Sequence, residues 1–411
     1  MSSHSSTRRR LESALLVLSD GTAFEGEAFG AEPTSGVTTG EAVFNTVMAG
    51  YQEVITDPSY AGQVVTFTYP HIGNYGVSER DRQADRPHCR GVIVRELAQF
   101  PSNHRSEGTL DDYLQRHGVA GITGIDTRRL TKHIRDHGSM SCAFGTASES
   151  TLLAAARAEP GTLGLDLVSE VTRPSELVVP AASEEAMTRT VVAYDFGIKQ
   201  AIIDQLALIA NVILVPATTD PGTVLDMHPS GVFLSSGPGD PAGFDFGPKI
   251  TSQLVGQLPI FGVCLGYQLL GQQLDAATYK LRFGHHGGNH PIQDRSGRIS
   301  ITSQNHNYAV RFNPEIEFDE LLHDITHVNI NDHIVEGFAK RDQWLFGVQF
   351  HPEAGPGPSD AQRLFREFGE MMDLHRGTLT ASDLELWTPE TDEPESAHFR
   401  DEVVKSLASV S

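Results

Sequence analysis

The stretch Ile260-Phe261-Gly262-Val263-Cys264-Leu265-Gly266-Tyr267-Gln268 joins a short apolar run to a helical pattern through a single cysteine. Ile260–Val263 reads as a buried strand, and Tyr267–Leu274 continues with helical spacing. A nucleophile on so sharp a strand-to-helix turn needs small neighbours, because the turn is strained and packs closely on the sheet. Gly262 and Gly266 supply them. The helix start turns its positive end toward the sulfur. It also leaves free backbone N–H groups, such as that of Leu265, where an oxyanion would form. The competing reading is a buried structural cysteine, the usual fate of a free thiol.

Working outward, Val191–Tyr194, Val212–Val215 and Val232–Ser235 read as further short strands, with helical spacing over Lys199–Ala210. Strands alternating with helices predict an α/β fold whose C-terminal, mostly parallel sheet is covered by helices on both faces. Its sites lie at the carboxyl ends of the strands. Two loops fall at such ends. Ser236-Gly237-Pro238-Gly239-Asp240-Pro241 can cradle an anion with backbone N–H groups, but no Gly-Lys-Ser/Thr ending follows, which disfavours a nucleotide. His351-Pro352-Glu353 follows the apolar run Trp344–Phe350, so a His and a Glu two positions apart can project to one side. Cysteine, base and orienting carboxylate are the set that nucleophilic catalysis requires.

The remainder of the chain fixes its organisation. Residues 1–13 form a polar N-terminal tail without the apolar core of a secretory signal. Residues 14–172 read as an N-terminal mixed α/β domain: an Asp20-Gly21 hairpin, a strand at Val64–Thr68, and helices over Leu110–His117, Thr127–His137 and Thr151–Ala158. Asp126 is placed to cap the second helix. Residues 173–189, with two prolines and three glutamates, read as a linker to a domain over 190–376, and 377–411 as a loosely held acidic tail. The 31 Lys and Arg against 53 Asp and Glu give a net charge of −22, which disfavours nucleic acid and anionic membranes. No apolar run reaches the ~20 residues of a membrane span. Three scattered cysteines, Cys89, Cys142 and Cys264, point to a reducing cytoplasm, and the first and second read as bystanders.

The Cys264 elbow, His351-Pro352-Glu353 and the Ser236–Pro241 loop together resemble the class I, or triad, glutamine amidotransferases. That module serves several pathways, anthranilate and guanylate synthesis among them. The first domain narrows the choice. Glu41-Ala42-Val43-Phe44-Asn45-Thr46, Met48-Ala49-Gly50-Tyr51-Gln52-Glu53, Thr56-Asp57-Pro58-Ser59-Tyr60, Tyr69-Pro70-His71-Ile72-Gly73-Asn74 and Asp126-Thr127-Arg128 resemble the amino-terminal domain of carbamoyl-phosphate synthase small subunits. So do Tyr194-Asp195-Phe196-Gly197-Ile198-Lys199 and the run Phe283–Pro291, with the likeness extending from about Ala14 to His375.

That resemblance implies a set of roles. Cys264 attacks the side-chain amide of L-glutamine, His351 shuttles the proton and Glu353 orients the imidazole. The N–H groups of Leu265 and Gly237 hold the oxyanion. Gln268, Gly239, Asn305 and the backbone of Asn307 and Tyr308 bind the substrate, and Ser59 reaches in from the first domain. Where the family often carries glycine, this chain has Asn307, a residue that tolerates positive φ. Ammonia passes through an internal tunnel to a large subunit, which uses bicarbonate, ATP and Mg to make carbamoyl phosphate for pyrimidines and arginine. No cofactor is expected in this chain. His285, His286 and His290 invite a metal reading, but adjacent histidines in a glycine-rich loop point apart and no carboxylate stands at ligand spacing, so no metal is expected either. A functional rival of another class is a catalytically silent subunit that only activates its partner.

Overall fold

The computed structural model describes residues 11–408 apart from 34, 314, 315, 317–321, 323 and 379–396. The tail reading of Met1–Arg10 and the acidic run Glu390–Glu395 therefore lie outside the described residues. Two compact units emerge, and neither is a single stretch of chain. The first takes residues 1–44, 63–80 and 89–161, and the second takes 45–62, 81–88 and 162–411.

The first unit is a closed barrel. Its strands are β1 (Glu12–Leu18), β2 (Ala23–Gly30), β3 (Thr38–Asn45), β4 (Gln63–Phe67), β6 (Gly91–Ile93), β8 (Ala120–Thr123) and β9 (Met140–Gly145), in the order β1-β2-β8-β6-β4-β3-β9. The short pair β5 (His71–Ile72) and β7 (Glu96–Leu97) forms a separate two-stranded sheet. Closure joins β9 back to β1 and leaves no free edge. Gly21 takes φ 95° in the β1–β2 turn, as an Asp-Gly hairpin requires. Helices follow their caps: Thr109 opens Leu110–Arg116, Asp126 opens Thr127–His137, and Ser148 opens Glu149–Ala158. The last of these seats Leu152 and Ala156 against Val17 and Ala143 of the barrel wall.

The second unit carries ten strands: β10 (Leu177–Val179), β11 (Thr190–Asp195), β12 (Asn211–Pro216), β13 (Gly231–Leu234), β14 (Ile260–Val263), β15 (Ala277–Asp294), β16 (Ile299–Arg311), β17 (Ile325–Asn329), β18 (Val335–Lys340) and β19 (Leu345–Val348). Their order is β10-β12-β11-β13-β14-β19-β18-β17-β15-β16. The run β12-β11-β13-β14-β19 is parallel, and both of its faces are buried. Val192 and Tyr194 enter one apolar cluster while Val191 and Ala193 enter the other, the period-two alternation of a doubly covered strand. Beyond β19 the sheet continues in antiparallel strands ending in the long β15–β16 hairpin, where the glycine-rich sequence predicts a loop.

Three boundaries differ from the sequence reading. Residues 162–172 belong to the second unit, because Val168 is fully buried in that unit's core. The supposed linker contains β10, whose Leu177-Val178-Val179 run pairs antiparallel with β12 between Pro174 and Pro180. An edge strand tolerates the flanking prolines that made the stretch look irregular. The C-terminal region is not wholly a loose tail. Ala397–Ala408 is a helix, with Phe399 and Val403 fully buried in the same core and Leu407 packed beside them. That spacing of four residues is an apolar helical face hidden in polar composition.

Candidate active site

Cys264 stands between β14 and the helix Leu265–Gln272 with φ 54° and ψ −103°, a strained backbone for a residue with a side chain. The tightness of the turn is visible in its glycines. A Cβ on Gly266 would lie 2.1 Å from the Leu234 carbonyl oxygen, and one on Gly262 would lie 2.7 Å from the Gly266 backbone. The elbow and the end of β13 therefore touch backbone to backbone. Cys264 is buried, with Sγ 3.6 Å from the carbonyl oxygen of Asn305.

His351 leaves the end of β19, anchored where its N–H donates to the Ser303 carbonyl at 2.8 Å. Its Nδ1 donates to Glu353 Oε1 at 2.7 Å. The opposite nitrogen, Nε2, makes no hydrogen bond of standard geometry among the described residues, although the Cys264 thiol lies close enough to act on the ring. Burial, the strongest single influence on His351, disfavours its charged form, but the Glu353 carboxylate and the Cys264 side chain together outweigh it and the net effect favours the imidazolium. Burial likewise opposes charge on Glu353, and the ammonium of Lys199 together with His351 holds the carboxyl well below the ordinary glutamate range.

Around this line sit the other expected residues. The N–H groups of Leu265 and Gly237 donate to no other described residue, and a Cβ on Gly237 would come within 2.8 Å of the Leu265 side chain. Gly239 takes φ 86°. Gln268 Nε2 donates to the Tyr308 carbonyl and to Gln349 Oε1, both at 3.0 Å. Asn305 Nδ2 donates to Asp57 Oδ2 at 2.8 Å, and Asp57 Oδ1 accepts the N–H of Ser59 at 2.9 Å. Ser59 Oγ is buried without a partner among the described residues. Ser59 thus belongs to the second unit, because residues 45–62 fold with it.

Comparison with known proteins decides the family. Residues 16–144 match the model of the carbamoyl-phosphate synthase small chain, CPSase domain, and residues 192–371 match that of class I glutamine amidotransferase. The chain is 47% identical over 377 residues to a carbamoyl phosphate synthase small chain of Syntrophotalea carbinolica, covering 88% of this chain and 98% of that protein. A small chain of Parasynechococcus marenigrum is 46% identical over 384 residues, covering 90% and 97%. One of Listeria monocytogenes is 45% identical over 362 residues, covering 87% and 96%. The chain belongs to the carbamoyl-phosphate synthase small chain family.

Within this small chain, three features of the site differ from the sequence reading or escaped it. Lys199, to which the sequence motif assigns no role, has a fully buried ammonium that lies 2.7 Å from Glu353 Oε1 and donates to the Ala354 carbonyl at 2.7 Å. A lysine closing an apolar strand-to-helix turn was the available signal. Asn307 does not use positive φ. It lies within β16 in extended backbone, with Oδ1 2.9 Å from His286 Nε2. His285, His286 and His290 lie on β15 rather than in a loop, and a carboxylate does reach them: Glu336 Oε1 is 3.6 Å from His285 Nδ1. Glu336 comes from β18, far away in sequence, so local spacing could not reveal it.

Proposed function

We propose that this chain hydrolyses L-glutamine to glutamate and ammonia as the small subunit of a carbamoyl-phosphate synthase. The observation that carries the reading is the strained elbow cysteine beside a histidine whose far nitrogen is held by a buried glutamate.

The chemistry follows from those positions. Sγ of Cys264 attacks the amide carbon of glutamine, and the oxygen that gains charge lies against the N–H groups of Leu265 and Gly237. The His351 imidazolium provides the counter-charge and then gives its proton to the departing nitrogen. The carbon–nitrogen bond breaks, ammonia leaves, and a γ-glutamyl thioester remains on Cys264. Neutral His351 next takes a proton from water, the hydroxide oxygen adds to the thioester carbon, and the carbon–sulfur bond breaks to release glutamate. Glu353, fixed by Lys199, keeps the imidazole turned toward the sulfur throughout. Gln268, Gly239, Asn305, Asn307, Tyr308 and Ser59 bind the amino acid around this line. No cofactor takes part in these steps. The ammonia passes to a cytoplasmic large subunit, which binds ATP and Mg and makes carbamoyl phosphate for pyrimidine and arginine synthesis.

Acid-quenching the full chain during turnover of glutamine and weighing it intact tests the reaction. The expected result is the added mass of one γ-glutamyl group, mapped to Cys264. Steady glutamine hydrolysis with no adduct, or with the adduct on another residue, would contradict the assignment.

A further inference from the structure

Gln268 stands one helical turn beyond the elbow, its N–H donating to the Cys264 carbonyl at 3.0 Å, so its side chain shares a helix face with the nucleophile. A primary amide carries two N–H donors at one corner and an acceptor oxygen at the other. Both donors of Gln268 are committed. Nε2 gives one to the Tyr308 carbonyl and one to Gln349 Oε1, each at 3.0 Å. The Tyr308 carbonyl can only accept, so exchanging the ends of the Gln268 amide would set oxygen against oxygen. That contact fixes the orientation of Gln268, and the Gln268 nitrogen in turn fixes the end that Gln349 presents. What Gln268 has left to offer is Oε1, an acceptor.

Gln349 directly follows β19, two residues before His351, and is fully buried. Its own Nε2 has no hydrogen-bond partner among the described residues. A buried amide nitrogen without an acceptor is destabilising, and an apolar side chain of similar volume would avoid that cost. Stability therefore does not account for a glutamine at this position. The oxygen it turns toward Gln268 does. On the reading that this site hydrolyses glutamine, we infer that Gln349 sets its selectivity for a substrate with a free α-ammonium, by holding the Gln268 amide so that only the oxygen is presented.

An acceptor corner selects by the polarity of its partner. The α-ammonium of L-glutamine brings N–H donors and a positive charge, and a hydrogen bond from a charged donor is stronger than one between neutral groups. The α-carboxylate brings acceptors alone and would be repelled by the amide oxygen. The end of the amino acid that docks at Gln268 is thereby specified. Gln349 makes this polarity permanent. Without its oxygen, the second N–H of Gln268 loses its acceptor and the amide can turn about the remaining bond to Tyr308. A freed N–H then faces the ammonium, donor against donor. Gln349 acts through Gln268 rather than on the substrate, so it is a positioning residue.

The test compares hydrolysis of L-glutamine with that of 4-carbamoylbutanoate, which is glutamine without its α-amino group, by the full wild-type chain and by Gln349→Met. Methionine keeps the volume and removes the acceptor. In the variant, KM for L-glutamine should rise about 10-fold while kcat stays within about 2-fold of wild type. The kcat/KM for 4-carbamoylbutanoate should stay near wild type, so the preference for L-glutamine narrows by about 10-fold. An unchanged KM for L-glutamine in a folded Gln349→Met chain overturns the inference. So does an equal loss on both substrates, which is what a purely structural role produces. Should Gln349→Met fail to fold, Gln349→Asn, whose oxygen is withdrawn by one carbon, carries the same expectations. Absence of L-glutamine hydrolysis by the wild-type chain contradicts the proposed function itself, and this selectivity falls with it.

Discussion

Glu353 Oε1 lies 2.7 Å from both the Lys199 ammonium and His351 Nδ1, in a place that excludes solvent. Removing one partner of such a buried set costs about 3–5 kcal/mol, because the remaining charge is stranded. Lys199→Met should therefore lower stability and, with Glu353 misplaced, slow glutamine hydrolysis by about 100-fold. The sign of the pH effect follows from the same contacts. Lys199 lowers the proton affinity of His351 and of Glu353, so its loss raises both. Both limbs of the kcat/KM profile should move to higher pH, and a purely structural lysine would leave them in place. A second residue-scale expectation concerns Gly266. A methyl group there would stand 2.1 Å from the Leu234 carbonyl oxygen, which belongs to backbone and cannot swing away. Gly266→Ala should lower stability by about 1–3 kcal/mol or more in urea denaturation. The elbow glycines were legible in the sequence because a local strand-to-helix turn imposes them. The Lys199 contact was not, since it depends on two strand ends that only the folded sheet brings together.

Among the elements, legibility followed burial. Strands of the parallel core were readable as continuous apolar runs, because helices cover them on both faces and no polar alternation interrupts them. Helices with side-chain caps, such as Thr127–His137 behind Asp126, were equally readable. The β15–β16 hairpin was not: it buries histidines, asparagines and glutamines, several of them hydrogen-bonded to one another, so polarity suggested a loop where a strand stands. The helix Ala397–Ala408 was missed for a related reason, its two buried apolar side chains being outnumbered by charge. A fully buried Phe or Val contributes about 1.5–3 kcal/mol, offset by the entropy of ordering the helix. Deleting residues 379–411 should therefore lower stability by about 2 kcal/mol while glutamine hydrolysis at moderate temperature stays near wild type. Paired denaturation and glutaminase measurements check this, and unchanged stability would mean that the helix does not hold to the sheet in solution.

For the whole molecule, the net charge of −22 carried little about the reaction, since glutamine is a zwitterion and ammonia is small. Its use lay in disfavouring polyanionic partners. The division of the chain into units was legible only in outline. Segments 45–62 and 81–88 cross from the barrel's stretch of sequence into the amidotransferase unit, and 45–62 carries Asp57 and Ser59 to the Asn305 strand. No composition shift marks that exchange. It gathers the residues of the proposed glutamine site within the second unit, and under the proposed function the ATP-dependent steps fall to a partner. The central claim, that Cys264 releases the nitrogen used by that partner, is tested most directly by reconstituting Cys264→Ser with the large subunit and measuring carbamoyl phosphate formation from each nitrogen source. Synthesis from glutamine should be lost while synthesis from added ammonia persists at the wild-type rate. Retention of glutamine-dependent synthesis by the mutant complex would contradict the account.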